Sequence, residues 1–493
     1  MNAEVETRPP KQGVKSVQEY IDERPTWSDG THLKSPPMTA MQWRIWALAA
    51  AGKFFEGFVV FMTGVALPLI VREFELGAAT KGVAGSASLA GILIGALVLG
   101  GLSDYFGRKR MFIAEMILFC AFLALLILCS NFASFAICLF GLGMALGCDY
   151  PTAHMIISES TPSANRGKLV IAAFGFQALG ALAGTGIGCL VLVLDPTLGA
   201  WRWMYATALI PAMIVTIGRF FVTESPNWLV VRGAHEEAEK EATRLLKRQP
   251  QYPKGISLAR PAAKNEGRVQ QSYFALFNQR NLRATILASV PWFLQDLSTY
   301  GIGIFTPTIL VAALGGGPEH IRSLSDLIAD GILAAKGAAL INLLLIVGIL
   351  FAVVLADKVG RIRLQIFGFV GCAAGLLLAS FSIGASGESK IAIIFAGFML
   401  FDFMTNLGPN AQTYLLAGEV FPTAVRGMGA GFAAAFAKIG AVATAFLFPV
   451  LLATIGTRLL LYGLVMSSIL GAVVTWLYRI ETTGVNLDQI GQS

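Results

Sequence analysis

Twelve apolar runs, separated by polar breaks, take up most of this 493-residue chain. They fall at 45–70, 83–102, 111–129, 134–157, 168–193 and 201–222, and then at 284–313, 329–356, 364–384, 391–416, 428–454 and 458–478. Each reaches the ~18–20 residues that a helix needs to cross a bilayer. A spanning segment must satisfy its own backbone polar groups, and a helix does so internally. The expected fold is therefore an all-α membrane protein of twelve transmembrane helices in two six-helix bundles.

Composition supports this reading. Only 14% of the residues are charged, against roughly 25% in a soluble domain, too few to cover a water-facing surface. A soluble enzyme, a disordered chain and a disulfide scaffold are excluded. Cys120, Cys129, Cys138, Cys148, Cys189 and Cys372 all sit inside apolar runs, without CxxC or metal-ligand spacing, and read as small hydrophobes. Neither a metal nor a cofactor is expected. The polar, proline-bearing start has no apolar core and is not a signal peptide.

The polar breaks set the organisation: an N-terminal tail at 1–42, a bundle at 43–222, a linker at 223–283, a second bundle at 284–479 and a C-terminal tail at 480–493. Within the linker, Ala234 to Ala242 reads as a short surface helix. With the termini, linker and other even loops on one side, that side holds 20 Lys and Arg outside the tails, against 6 on the other. The positive-inside rule then makes both termini cytoplasmic, and the plasma or inner membrane is the expected location. The net charge of +7 is thus an orientation signal, and no nucleic-acid partner is expected. A monomer is the expected state.

Motifs recur between the halves. Asp104-Tyr105-Phe106-Gly107-Arg108-Lys109-Arg110 matches Asp357-Lys358-Val359-Gly360-Arg361-Ile362-Arg363, 253 residues on. Glu159-x-x-Pro162-x-x-x-Arg166-Gly167 matches Glu419-x-x-Pro422-x-x-x-Arg426-Gly427 at 260, and Glu224-Ser225-Pro226 has a weaker echo in Glu481-Thr482-Thr483 at 257. Nearly equal shifts at equivalent loops indicate a parallel duplication. Six helices per half keep both halves in one orientation.

These motifs, with Gly100 leading the first loop, resemble the major facilitator superfamily along the whole transmembrane chain. Carboxylates and guanidinium groups at adjoining helix ends can form charge-assisted bonds. Asp104, Arg108, Glu159, Arg166, Asp357, Arg361, Glu419 and Arg426 are expected to latch the outward-facing state, or else only to fix helix ends and topology. Within the superfamily the sequence is most similar to the phosphate:proton symporters, at Gly147-Cys148-Asp149-Tyr150-Pro151, Gln177, Trp292-x-x-x-Asp296-x-x-x-Tyr300, Gly408-Pro409-Asn410-x-x-Thr413, Gly418-Glu419-Val420-Phe421-Pro422-Thr423 and Lys438-x-Gly440-Ala441. That resemblance implies phosphate binding by Tyr150, Gln177, Trp292, Asp296, Tyr300 and Asn410, and proton coupling and charge balance by Asp149 and Lys438. Sugar porters are second, sharing Glu224-Ser225-Pro226-Asn227-Trp228-Leu229 but lacking their glutamine pair in helix 7 here. The first helix departs from the phosphate pattern: Glu56 fills one of two acidic positions, Val59 the other, and Lys53 is added.

Residue chemistry points the same way. A charge at mid-bilayer costs ~2.5–3.5 kcal/mol or more, so in-span ionisable residues read as functional by default. Here these are Lys53, Glu56, Asp149, Asp296, Lys336, Asp402 and Lys438. Trp292, Asp296 and Tyr300 are four residues apart and share a helix face, as a binding stripe or an aromatic packing stripe. Gln177 is either a ligand or a helix-to-helix bond. Lys438, alone in its helix, needs a partner, with Asp149 or Asp402 expected, while Lys53 and Glu56 can neutralise each other. Burial disfavours a charged carboxylate, which lets Glu56, Asp149 or Asp296 carry a proton. The expected function is secondary transport, proton-coupled symport of phosphate or a similar small oxyanion by alternating access, with protons, a small anion and the lipid bilayer as partners. An organic anion, a sugar or polyol, and a sensing receptor on the same scaffold remain open. The histidines show no catalytic or metal spacing and there is no Walker loop, so no enzyme is expected.

Overall fold

The computed structural model describes residues 15–24, 36–99, 102–248, 255–259, 273–313, 323–422 and 425–483. Gly100, Thr423 and the side chain of Asp104 lie outside that description. Among the described residues every element is helical, apart from one isolated bridge between Lys15 and Leu258.

A short helix, α1 (Val17–Ile21), precedes the first span, α2 (Ala40–Glu73). The second span is α3 (Ala78–Ile94) with a π turn at Gly95–Leu99, and a short α4 (Leu102–Phe106) leads into α5 (Arg108–Ile127) and α6 (Phe132–Ser160). Span five breaks at Gly175 into α7 (Arg166–Phe174) and α8 (Phe176–Leu194), and span six into α9 (Ala200–Ala206) and α10 (Leu209–Phe220). The linker carries α11 (Pro226–Val231) and α12 (His235–Leu245). The second half runs α13 (Gln279–Ala313), α14 (Leu324–Val359), α15 (Arg361–Phe381), α16 (Gly387–Leu407), α17 (Pro409–Glu419) and α18 (Arg426–Tyr478). Span ten breaks at Gly408, where Pro409 cannot donate into the preceding turn. Spans eleven and twelve merge in α18 and part at Gly456, whose φ of 74° suits a residue without Cβ.

Among the described residues, ten stretches are long and apolar enough to cross a bilayer. One of them, the last, holds two spans, and α13 falls outside the ten, its middle being polar with Gln295, Asp296, Ser298, Thr299 and Tyr300. The twelve-span layout is therefore present. Large apolar side chains such as Leu194, Ile210, Ile214, Leu350, Phe367 and Trp476 point outward uncovered. Water would not tolerate that much exposed apolar surface, so the chain is an integral, multi-pass membrane protein.

The helices approach closely where small residues line up four apart. At Gly91 of α3, Gly95 of the π turn after it, and Gly143 and Gly147 of α6, an added Cβ would run into the opposing backbone. This is the small-xxx-small packing used where lipid offers no hydrophobic drive between helices. The halves themselves meet in the same way on the face away from the termini. Gly64 of α2 abuts the Ile304 carbonyl of α13 and Gly82 of α3 abuts that of Phe446 in α18, while within the second half Phe305 stacks on Phe448 beside these contacts. On the opposite face a cavity separates the halves.

The duplicated motifs build the same corner twice. Gly107 (φ 104°) and Gly360 (φ 99°) each turn the chain into the next helix, and a Cβ there would collide with Glu224 or Glu481 respectively. Glu224 accepts from the Lys109 amide at 3.0 Å, and Glu481 from the Arg361 and Ile362 amides at 3.1 and 3.2 Å. Both carboxylates cap a helix N-terminus, where the unpaired amides and helix dipole favour negative charge. Beside them, Arg108 reaches Glu159 at 3.3 Å and Arg361 reaches Glu419 at 2.7 Å. Ser225 and Thr482 donate to Glu159 and Glu419 in turn.

Residues of the N-terminal tail pack against this corner. Asp22 accepts from the Ser163 amide and hydroxyl at 2.8 and 2.7 Å, and Gln18 donates to Ser163 at 3.1 Å. Lys15 and Tyr20 bond the linker backbone around Ser257.

Candidate functional site

The cavity between the halves encloses about 900 Å³. It runs from Tyr150 and Trp292 at mid-span, past His154 and Tyr414, to Glu159, Arg361, Glu419 and Thr482 beside the termini. Beyond its inner end, where Tyr150 reaches the cavity wall, lies a buried polar cluster contributed by five spans and both halves.

Glu56 of α2 lies at the centre of that cluster and is buried. Its Oε1 accepts from the Tyr150 hydroxyl at 2.5 Å, the Tyr300 hydroxyl at 2.9 Å and Gln177 Nε2 at 3.1 Å, while Oε2 faces Lys53 Nζ at 3.4 Å. From the other half, Lys438 Nζ donates to Tyr300 at 2.7 Å and to Asp296 Oδ2 at 3.0 Å, and stands 3.8 Å from Glu56. Two ammonium groups face two carboxylates, so a set of charges that is costly singly becomes tolerable together. Both lysines also lie over the Tyr150 ring, Lys53 at 2.7 Å and Lys438 at 5.2 Å from its centroid.

Of the residues singled out in the sequence, Tyr150, Gln177, Asp296, Tyr300, Glu56 and Lys438 are brought together here. Trp292, one turn from Asp296, lines the cavity and meets the Tyr414 ring edge-on at 6.0 Å. Asn410 is turned away and donates to Asn406 at 2.6 Å. Lys438 pairs with Asp296 and not with Asp149 or Asp402. Asp149 follows Cys148 onto another face of α6: successive helical residues point about 100° apart, so Tyr150 enters the cluster and Asp149 leaves it. It meets Arg219 at 2.8 Å, and Arg219 meets Glu115 at 2.6 Å, all three buried. Lys336 is exposed and stands apart, and Asp402 is buried in α16.

Of the expected latch residues, Glu159, Arg166, Asp357, Arg361, Glu419 and Arg426 line the cavity mouth, Arg108 sits behind them against Glu159, and the side chain of Asp104 is not described. Their short bonds stay within each half: Arg108 to Glu159, and Arg361 to Glu419 and to Asp357 at 3.4 Å. Lys168 to Asp357, at 3.7 Å, crosses between halves. Arg166 donates to Ser163 and Arg426 to the Phe421 carbonyl.

Sequence reasoning missed Glu115 and Arg219, although both lie inside the apolar runs at 111–129 and 201–222, where any ionisable residue stands out. It also missed Tyr414, which carries no charge to mark it. Tyr414 stacks on Phe174 of the opposite half at 4.5 Å and contacts His154 at 3.3 Å, just below the polar cluster. Among the described residues no group of His, Cys, Asp and Glu could hold a metal ion.

Comparison with known proteins identifies the scaffold. Residues 45–493 match the family model described as "Sugar (and other) transporter". The inner membrane metabolite transport protein YgcS of Escherichia coli (strain K12) is 29% identical over 92% of this chain and 95% of its own length. A protein of Arabidopsis thaliana named "Probable inorganic phosphate transporter 1-6" is 26% identical over 94% of this chain and 96% of its own. Among solved structures, that of the major facilitator superfamily proton:xylose symporter XylE bound to 6-bromo-6-deoxy-D-glucose aligns with a TM-score of 0.73 at 19% identity, covering 92% of this chain and 99% of that one. Twelve spans, a cavity between duplicated halves and a family match over nearly the whole transmembrane region lead to one assignment: the chain belongs to the sugar (and other) transporter family of the major facilitator superfamily and is a secondary transporter.

Proposed function

We propose that this transporter carries phosphate or a similar small oxyanion in symport with protons, by alternating access. The observation that carries this reading is the cluster of Lys438, Lys53, Tyr150, Tyr300 and Gln177, which offers cations and neutral donors to an oxyanion at the inner end of the cavity. Neutral sugars need no buried ammonium group, and burying an unpaired one is costly.

Lys438 is held by Asp296 in the structure. A proton taken up by one of the buried carboxylates, Asp296 or Glu56, weakens its hold on Lys438 and leaves that ammonium group able to accept an anion that the charged carboxylate would repel. Proton and anion together return the site to near neutrality, so the halves can rock past each other. With the basic loops on the cytoplasmic side, the cavity faces the cytoplasm and the structure is the inward-facing arrangement. The paired corners at the mouth then serve as the surfaces that meet when this side closes.

The test is uptake into proteoliposomes under an imposed pH gradient, with labelled phosphate competed by organic anions and by sugars. Phosphate uptake that rises with an inward proton gradient is expected, and the Asp296→Asn variant should lose accumulation against a gradient. Competition by sugars alone, with phosphate neither entering nor competing, would overturn the reading.

A further inference from the structure

The Glu56 carboxylate is bound as a carrier of anions would bind its cargo. Three neutral donors, Tyr150, Gln177 and Tyr300, converge on Oε1, and the ammonium groups of Lys438 and Lys53 face Oε1 and Oε2. Lys53 is set beside Glu56 by their shared helix, but Tyr150, Gln177, Tyr300 and Lys438 come from four other helices, so no local backbone geometry gathers those four; the carboxylate does. A cargo oxyanion and Glu56 cannot hold the same donors at once.

We infer that Glu56 is a tethered occupant of the anion slot, which engages these donors while cargo is absent and must be displaced for cargo to bind, and that Lys53 is a cargo-binding cation of this slot. The inference rests on the proton-coupled anion reading above and deepens it. It fixes the recognised chemistry as an O–X–O edge, two oxygens on one phosphorus or carbon, because that is the shape the slot already holds. Phosphate and carboxylates both present such an edge.

Charge counting supplies the coupling. The groups facing Glu56 are Lys53 on its own helix, Tyr150 on α6, Gln177 on α8, Asp296 and Tyr300 on α13 and Lys438 on α18. Asp149, adjacent to Tyr150, is turned to Arg219 and stays outside the slot. Two lysines balance two carboxylates in the empty carrier. When Glu56 takes a proton, it loses its attraction for both lysines, and one net positive charge remains for a single incoming anionic charge. Each cargo oxyanion thus enters with the proton that displaced its substitute. Lys53 is well placed for this exchange, since Glu56 is one helical turn away and the Tyr150 ring lies against it.

The experiment uses purified full-length protein and measures binding of inorganic phosphate, and separately of acetate and succinate, at acid and alkaline pH, for wild type, E56Q, E56A and K53Q. Wild-type binding should strengthen on acidification. E56Q and E56A should bind at least about tenfold more tightly than wild type at alkaline pH, with a flatter pH profile. In proteoliposomes both should keep phosphate–phosphate exchange and lose proton-driven accumulation. K53Q should bind at least about tenfold more weakly at both pH values, with its thermal midpoint showing that it is folded. The phosphate and carboxylate arms tell the two cargo sources apart. Wild type that binds oxyanions, with Glu56 variants no tighter at alkaline pH or K53Q within about threefold of wild type, overturns this inference alone. Wild type that binds none of the three anions at either pH overturns the anion reading and this inference with it.

Discussion

At the level of single residues, the cluster was legible to the extent that chemistry is local. The spacing of Asp296 and Tyr300 put them on one face of α13, and both do reach Lys438. The need of Lys438 for a partner was also legible, but the partner was not, because several carboxylates in different helices satisfy the same argument and only the fold selects one. Asp149 shows the limit most clearly. Its neighbour Tyr150 enters the slot while Asp149 completes a buried triad with Glu115 and Arg219, and the Arg219 guanidinium also donates to the Phe112 carbonyl at 2.6 Å and lies over the Phe112 ring. Two carboxylates depend on one guanidinium there. Arg219→Met should therefore destabilise the first bundle by about 3–5 kcal/mol, the cost of leaving buried charge uncompensated. Thermal unfolding in detergent measures this, and the neutral triple variant E115Q/D149N/R219M should recover most of the loss. A triple variant as unstable as the single one would show that the triad acts through packing and not through charge.

At the level of elements, the repeat in the sequence corresponds to a repeated physical device. The Gly-Arg turn, the acid of the next motif and the carboxylate after the last span of each half assemble into the same corner twice, which explains the near-equal shifts. The weakest of the sequence echoes, Glu224 against Glu481, proves to be the pair of helix caps, weak in sequence because one carboxylate is all that the position needs. Their environments differ. Burial holds the Glu224 carboxyl above its ordinary range despite the amides that it caps. Glu481 is also raised by burial, but hydrogen bonds from Thr483 and the α15 amides outweigh this and hold it below the ordinary range. The signs of the two contributions are therefore opposite. Glu481 stabilises the fold above the unfolded carboxylate range and loses that contribution as pH falls through its lowered value. Glu224 favours its protonated form, so its contribution is present at low pH and fades as pH rises through its raised value. Glu481→Gln should thus lower the thermal midpoint at neutral pH, by a few tenths to about 1 kcal/mol after solvent screening, with the deficit vanishing on acidification. Glu224→Gln should cost less at neutral pH than at first sight its amide bonds suggest. Equal deficits at neutral pH would refute the asymmetry.

For the molecule as a whole, twelve spans and two halves could be read from hydropathy because lipid imposes that pattern on every outward face. Which faces meet could not, since the contacts that close the far side are made by glycines, residues with no hydropathy signal of their own. Gly64 against Ile304 and Gly82 against Phe446 bring backbone to backbone, and the cavity on the terminal side exists because those surfaces are in contact. Alternating access needs the same surfaces to part as the corners around Glu159 and Glu419 come together. A side chain at Gly64 would meet the Ile304 carbonyl in the present arrangement and would have open space only after the halves rock apart there. Gly64→Leu should therefore shift the population to the opposite arrangement, since a clash with backbone is at least comparable with the few kcal/mol that separate two such conformations. A cysteine placed at Ser158, which lines the cavity, reports this directly through its rate of reaction with an impermeant thiol reagent applied from the terminal side. The rate should fall at least about tenfold in the Gly64→Leu background, and net transport should cease while anion binding persists. An unchanged rate would mean that the far-side contact can yield without opening, and that the two faces are not coupled as one rocking unit.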